Sequence, residues 1–135
     1  MTGRPELADF IHGPINRLTL ALYAGASGDH ALIHLDPDAA RSVGLPGVIG
    51  HGLLSMAIMG RALKCWFGLR EAKALSVRFS APVYLGEVIR CTAAITAERH
   101  AQGALEYDLD VAGFANDRRI MTGSATVSLS EGRNG

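Results

Sequence analysis

The sequence predicts an α+β domain, in which one long apolar helix packs against a mostly antiparallel sheet that curls around it. The helix is predicted by a run from residue 51 to about residue 67, whose interior is polar only at Ser55, Arg61 and Lys64. A helix without a clear polar face must be buried on most of its sides. The sheet is predicted by the residues that follow, because they alternate between apolar and polar side chains. No other predicted helix is long enough to cover the dry face of this sheet, so the two are expected to pack together.

Shorter elements are predicted ahead of the long helix. Residues 5–11 are expected to form a short strand that ends before the Gly13-Pro14 break. A helix is expected to start after Asn16, whose side chain suits an N-cap, and to end at Gly28. The leucines in this stretch also alternate as they would in a strand, which leaves a second interpretation open. Residues 29–36 are expected to be a loop, followed by a further short helix.

Four strands are predicted after the long helix. In the third, Leu105, Tyr107 and Leu109 alternate with acidic residues, which indicates a sheet with one face on the core and one in water. Gly103 and Asn116 mark tight turns between strands. The predicted strands cover residues 75–79, 88–96, 105–111 and 125–129.

Composition and charge indicate a single domain without a nucleic-acid partner. The chain has 135 residues, of which 48% are hydrophobic, and its 13 basic residues balance 13 acidic ones. This length suits one domain over residues 1–135, with a flexible tail expected from about residue 130. Nucleic-acid binding needs clustered basic residues, which a formal net charge of zero does not favour. The same lack of net charge favours self-association.

The sequence does not predict export or membrane insertion. The N-terminal residues lack the apolar run of a signal peptide, and the long helix is too short and too charged to span a bilayer. Cys65 and Cys91 stand far apart in apolar surroundings, which favours two buried free thiols in a reducing compartment over a disulfide. We therefore expect a soluble cytoplasmic protein with no membrane partner.

A candidate site is predicted in the loop before the short helix and at the start of the long one. Asp29 and His34 are a carboxylate and an imidazole that together could hold and deprotonate a water molecule. Positions five apart on a straight helix point away from each other, so the pair converges only if this segment bends. Gly52 would offer an uncovered backbone N–H at a helix N-terminus, where a developing negative charge is stabilised. From these residues alone, a solvated or structural role for the pair is the commoner case.

Three segments resemble, in order, the motifs of the MaoC-like (hydratase-2) dehydratase family. Residues 23–34, YAGASGDHALIH, are similar to the family signature Y-A-x-x-S-G-D-x-N-P-I-H. Residues 44–54, GLPGVIGHGLL, are similar to G-x-x-x-x-I-A-H-G-M-L. Residues 79–87, FSAPVYLGE, are similar to F-x-x-P-V-x-x-G-D. The likeness runs from about residue 5 to residue 129, and it implies the hot-dog fold, a curved antiparallel sheet wrapped around a long helix.

The resemblance implies a hydro-lyase that reversibly hydrates trans-2-enoyl thioesters to (R)-3-hydroxyacyl thioesters, without a cofactor or a metal. Asp29 and His34 match the family's catalytic aspartate and histidine, and Gly52 matches the glycine whose N–H binds the thioester oxygen. The substrate is then an acyl-CoA or an acyl-carrier-protein thioester. The family also implies a homodimer or higher homo-oligomer, with a heteromer as the alternative.

Three further residues are expected to bind substrate, namely Ala31, His51 and Met56. Met56 is otherwise explained as a core residue of the long helix. The chain departs from the family signature at Ala31 and Leu32, where the family has Asn-Pro. Asparagine braces a loop through side-chain hydrogen bonds and proline stiffens it. The departure is therefore expected to alter loop geometry, substrate range or activity.

The residues themselves leave other functions open. A hot-dog thioesterase would release thiol from saturated acyl thioesters. A non-catalytic partner subunit would complete a heteromeric dehydratase, an alternative motivated by the missing Asn-Pro. A metal site at His30, His34 and His51, with Asp29 and Asp36, is disfavoured, because histidines four apart need a helix and this segment is predicted as a loop.

Overall fold

The computed structural model describes residues 4–68 and 71–130. It contains an α+β domain, as the sequence predicted, with a 3-10 turn at Leu32–His34. The helices are α1 (Arg17–Ser27), α2 (Pro37–Ser42) and α3 (Gly52–Phe67). The strands are β1 (Phe10–His12), β2 (Ala72–Phe79), β3 (Ile89–Ala101), β4 (Ala104–Ala115) and β5 (Arg118–Ser130).

The strands form one antiparallel sheet in the order β1-β3-β4-β5-β2. Two tight turns connect its central strands, as expected from Gly103 and Asn116, which have φ angles of 75° and 53°. Along β4, Tyr107, Leu109 and Val111 are buried, whereas Asp110 is exposed. The predicted sheet with one dry and one wet face is therefore confirmed, and α3 packs against the dry face.

Local signals place α1 and α2. The Asn16 side chain accepts a hydrogen bond from the Thr19 N–H at 2.8 Å, and Gly28 ends the helix with φ 77°. The helical interpretation of this stretch is confirmed over the alternating-strand one, because Leu20 and Ala24 share one buried face. Asp36 caps α2 by accepting from a backbone N–H at 3.0 Å.

The first strand lies later than predicted. Residues 5–9 pair with no strand among those described, and β1 comprises only Phe10–His12, opposite residues 89–91 of β3. The prediction was wrong here because a strand exists only where a partner offers its backbone groups. At the other end, Ser130 belongs to β5 rather than to a tail, and the remainder of the predicted tail lies outside the described residues.

The long helix is buried on one side only. Ile58, Met59, Ala62 and Leu63 face the core, whereas Leu53 is 62% exposed. The prediction of burial on most sides was wrong for the single chain, because one sheet covers one helix face. On the open face of α3 lie Leu53, Ala57, Arg61, Lys64 and Cys65.

The two cysteines differ in exposure. Cys91 is fully buried and Cys65 is exposed, so the prediction of two buried thiols was wrong for Cys65. Both thiols are free, as expected. Burial raises the pKa of the Cys91 thiol to about 12. Within residues 4–68 and 71–130, no helix is both long enough and apolar enough to cross a membrane.

Candidate active site

A sharp bend after α1 brings Asp29 and His34 together. Gly28 adopts a left-handed conformation, and Asp29 then turns the chain because its Oδ1 accepts a hydrogen bond from the Ala31 N–H at 3.3 Å. The 3-10 turn that follows carries His34, whose Nε2 lies 3.7 Å from Asp29 Oδ2. The convergence expected of a bent segment is therefore present.

The His34 ring is held in one orientation by a backbone carbonyl. Its Nδ1 lies 2.7 Å from the Ile49 oxygen. A carbonyl oxygen can only accept, so Nδ1 carries the proton and donates it. In the neutral ring, the Nε2 lone pair is then free and faces Asp29. His34 is buried, whereas the Asp29 side chain is 52% exposed.

His51 contacts both members of this pair, because its ring stacks on His34 and it binds the backbone of Asp29. Its Nε2 lies 3.2 Å from the Asp29 carbonyl oxygen, to which it donates, and its ring packs at 63° to the Tyr23 ring with centroids 4.8 Å apart. Its Nδ1 is buried without a hydrogen-bond partner among the described residues. Burial lowers the pKa of His51 and nearby His34 lowers it further, against the Asp29 hydrogen bond that raises it. His51 is therefore a neutral ring that holds the backbone of the turn at Asp29.

Gly52 opens α3 and leaves its amide uncovered. In the described parts of the chain, the Gly52 N–H donates to no backbone or side-chain acceptor. A Cβ at this position would lie 3.2–3.4 Å from carbons of the Phe79 ring, so any side chain would crowd the site. Gly50, by contrast, already donates its N–H to Val83 O at 2.8 Å. Gly52 thus supplies a free donor at the start of α3, and it is one of the residues that line a cleft.

His34 and Gly52 line the same cleft, which has a volume of ≈ 350 Å³. An imidazole with a free lone pair and an unpaired amide therefore face one space that a small acyl group could enter. Its walls are otherwise mostly apolar. The remaining lining residues are Ile49, Gly50, Ser55, Phe79, Ala81, Pro82 and Val83.

The other residues expected at the substrate lie in different places. Ala31 is exposed beside Asp29, and His51 stacks on the His34 ring and is not one of the residues that line the cleft. Met56 is half-buried on α3 and is not one of the residues that line the cleft. Ser55, which does line it, was not singled out from the sequence. Its position one helical turn after Gly52 could have indicated that it lines the cleft, because residues three apart share a helix face.

Potential ligand atoms of Asp29, His34 and His51 lie within 4.8 Å of one another. The two imidazoles are stacked, however, with centroids 3.8 Å apart and planes at 21°. Lone pairs lie in the ring planes, so two nearly parallel stacked rings do not point at one ion. This arrangement is unsuited to a metal centre.

The chain is similar in sequence to known proteins. The family model of the MaoC-like domain matches residues 8–112. The 3-hydroxyacyl-thioester dehydratase Z of Mycobacterium tuberculosis is 32% identical over 80 residues, which cover 55% of this chain and 53% of that protein. The chain thus spans about half the length of the curated relatives of this name that it matches.

Solved structures share the fold. The R-hydratase PhaJ1 from Pseudomonas aeruginosa superposes with a TM-score of 0.83 at 22% identity, covering 96% of this chain and 83% of that one. A chain of the ChsH1-ChsH2 complex from Mycobacterium tuberculosis gives a TM-score of 0.80 at 20% identity, covering 96% and 99%. The expected hot-dog fold is therefore confirmed. Because the family model covers most of the chain, this protein belongs to the MaoC-like domain family.

Proposed function

We propose that this protein reversibly hydrates trans-2-enoyl thioesters to (R)-3-hydroxyacyl thioesters, acting as an enoyl-thioester hydratase or, in reverse, a dehydratase. The carrying observation is that His34, whose Nε2 lies 3.7 Å from Asp29 Oδ2, lines the same cleft as the free Gly52 amide. The names of the relatives, which include a 3-hydroxyacyl-thioester dehydratase, support the same chemistry.

The pair is spaced to share a water molecule. The 3.7 Å between Asp29 Oδ2 and His34 Nε2 is too long for a direct hydrogen bond, and one water at about 2.8 Å from each atom would bridge them. His34 Nε2 has the free lone pair, so it accepts the proton as the water oxygen attacks the β-carbon. The Asp29 carboxylate accepts a hydrogen bond from the other O–H of the water, which stays on the oxygen, and so keeps a lone pair of that oxygen aimed at the β-carbon.

The Gly52 N–H stabilises the charge that this attack produces. As the new C–O bond forms, the C=C electron pair moves towards the thioester carbonyl, and its oxygen becomes enolate-like. The amide at the N-terminus of α3 donates to that oxygen, aided by the helix dipole. The proton on His34 Nε2 then passes to the α-carbon. The hydroxyl group and the proton have then both been added to the same face of the double bond, which is the face towards Asp29 and His34.

The substrate class is an acyl-CoA or an acyl-carrier-protein thioester. The direct test is hydration of crotonyl-CoA, followed by loss of the enoyl absorbance and by chiral analysis of the product. We expect Asp29→Asn and His34→Ala each to lower kcat by about 10²–10⁴-fold, the usual contribution of a positioned acid or base. His30→Gln is the matched control, because His30 is an exposed imidazole in the same loop. Wild-type activity that survives both substitutions would contradict the mechanism.

We propose that the protein works as a homodimer or higher homo-oligomer in the cytoplasm. The β2 strand ends the sheet and leaves one edge open, and the nearby apolar side chains of Leu53 and Phe79 are exposed. The exposed free thiol of Cys65 suits a reducing compartment. Light scattering during size-exclusion chromatography tests the oligomeric state. A monomer that becomes active only with a second, different subunit would favour the heteromeric alternative.

A further inference from the structure

The buried carboxylate of Glu87 forms an ion pair with Arg118, whose side chain is 37% exposed, and the mechanism above does not use this pair. Glu87 Oε1 lies 2.6 Å from an Arg118 nitrogen. Among the described residues, Glu87 belongs to a set of four buried polar side chains, and the others, His34, His51 and Ser55, all lie at the site. Burying a carboxylate costs free energy unless its oxygens are satisfied. The groups that satisfy it therefore indicate what the pair holds in place.

The pair holds the loop between β2 and β3. Glu87 Oε1 accepts the Tyr84 N–H at 2.7 Å, and Oε2 accepts the Asn116 amide at 3.1 Å. Arg118 donates to Pro82 O at 2.8 Å and lies over the Tyr84 ring. Burial raises the pKa of Glu87, but the hydrogen bonds from Arg118 and Tyr84 lower it overall, so the carboxylate stays ionised.

This loop in turn holds the residues that orient His34. Val83 O accepts the Gly50 N–H at 2.8 Å, and Tyr84 forms an antiparallel bridge with Ile49. The Ile49 carbonyl is the acceptor of His34 Nδ1. A continuous series of hydrogen bonds therefore runs from the ion pair through the loop to the catalytic imidazole.

We propose that Glu87 and Arg118 are positioning residues, which fix the Ile49 carbonyl and thereby hold His34 as the Nδ1–H tautomer with Nε2 aimed at the reacting water. The catalytic consequence rests on the proposed function, whereas the structural one does not. Neither residue lines the cleft. Their replacement should therefore act on catalysis rather than on substrate binding.

The first experiment measures kcat and KM separately for the variant Glu87→Gln. Glu87→Gln keeps an oxygen for the Tyr84 N–H and removes the charge that holds Arg118. We expect kcat for crotonyl-CoA hydration to fall on the order of 10- to 100-fold, as for other displacements remote from the chemistry. KM should change by a smaller factor than kcat, because neither Glu87 nor Arg118 lines the cleft and only the loop that they hold contributes to its wall.

The second experiment determines the tautomer of His34 in the absence of substrate. Two-bond ¹H–¹⁵N NMR spectra distinguish the protonation of Nδ1 from that of Nε2. The wild type should show the Nδ1–H tautomer, and Glu87→Gln should show a mixture. If the wild type is inactive on enoyl thioesters, the proposed function fails, and this spectrum still decides whether the pair orients His34.

The matched control is Asp108→Asn. Asp108 also forms an ion pair, with Arg99 at 2.7 Å, but its partners lie on the sheet away from the cleft. This variant should keep both kcat and the His34 tautomer. Arg118→Lys, which keeps the charge but loses the planar fork, takes the place of Glu87→Gln if that variant does not fold. A folded variant of the pair with wild-type kcat and tautomer, or an equal loss in Asp108→Asn, overturns the proposal.

Discussion

The imidazoles of His34 and His51 stack face to face, with ring centroids 3.8 Å apart. Two cations at this distance would repel each other strongly in a poorly hydrated site. The stack therefore suits a site in which His51 remains neutral while His34 takes up a proton during turnover. Burial, followed by His34, lowers the pKa of His51 in agreement with this requirement.

The His51 environment predicts how stability depends on pH. The folded protein lowers the pKa of this histidine, so it binds the proton less readily than the unfolded chain does. The stabilisation is fully present above the unfolded pKa of about 6.5 and is lost as the pH falls through the lower folded pKa. We expect the free energy of unfolding, measured by urea titration, to decrease over this acidic range.

His51→Gln tests the origin of this pH dependence, since glutamine keeps a donor for the Asp29 carbonyl but does not titrate. The slope below about pH 6.5 should become shallower without disappearing. His12 also has a lowered pKa, caused by burial and by Arg61, and it contributes with the same sign. An unchanged slope in the variant would show that His51 titrates alike in the folded and unfolded chains.

Gly52→Ala should impair catalysis far more than folding. The new methyl would lie 3.2 Å from the Phe79 ring, on the residue that carries the free amide. We expect kcat to fall towards the 10²–10³-fold typical of a lost oxyanion donor. Stability should change by less than about 1 kcal/mol, since alanine is the better helix former.

Gly60→Ala is the control for this substitution. Gly60 lies on the same helix but does not line the cleft, and a Cβ there would meet nothing within 4 Å among the described residues outside its own helical turn. This variant should keep near-wild-type kcat and should be no less stable than the wild type. Equal losses of kcat in both variants would mean that the loss in Gly52→Ala does not come from crowding beside the free amide.

The two thiols should react very differently. Cys91 is fully buried with its pKa raised to about 12, so it is almost entirely the unreactive thiol at neutral pH. Cys65 is exposed on α3. Titration with a thiol reagent should label Cys65 at once in the native protein, and Cys91 only after denaturation. Protection of Cys65 in the native oligomer would instead place it in a subunit interface.

The sequence predicted those features that short segments determine by themselves. Asn16 and Gly28 supply the cap and stop of α1 through contacts within a few residues, so they can be read locally. The Asp29 turn is of the same kind, since its hydrogen bond spans two residues. The order of the three family motifs then supported Asp29, His34 and Gly52, which the residues had already indicated as a candidate site.

Features that depend on distant parts of the chain were not predictable in this way. The His51 bond to the Asp29 carbonyl joins residues 22 apart, and the Glu87–Arg118 pair joins residues 31 apart. Nothing in the pattern of either segment identifies its partner. The open face of α3 was missed for a related reason, because the apolar composition of a helix does not reveal what covers each side.

The departure from the family's Asn-Pro can be tested by restoring the proline. Ala31 has φ −56° and ψ 132°, a conformation that a residue preceding proline readily adopts. Leu32 begins the 3-10 turn, its side chain is 59% exposed, and its N–H has no acceptor in the described parts of the chain. Proline at this position therefore sacrifices no hydrogen bond.

Leu32→Pro should thus raise the free energy of unfolding by about 0.4–1 kcal/mol, because it restricts the unfolded chain. Since the turn between Asp29 and His34 becomes stiffer, kcat should be maintained or increased. Leu32→Ala is the control, since it removes the same exposed side chain without restricting the backbone. Destabilisation by proline beyond that caused by alanine would show that this turn departs from the geometry on which the Asp29–His34 contact depends.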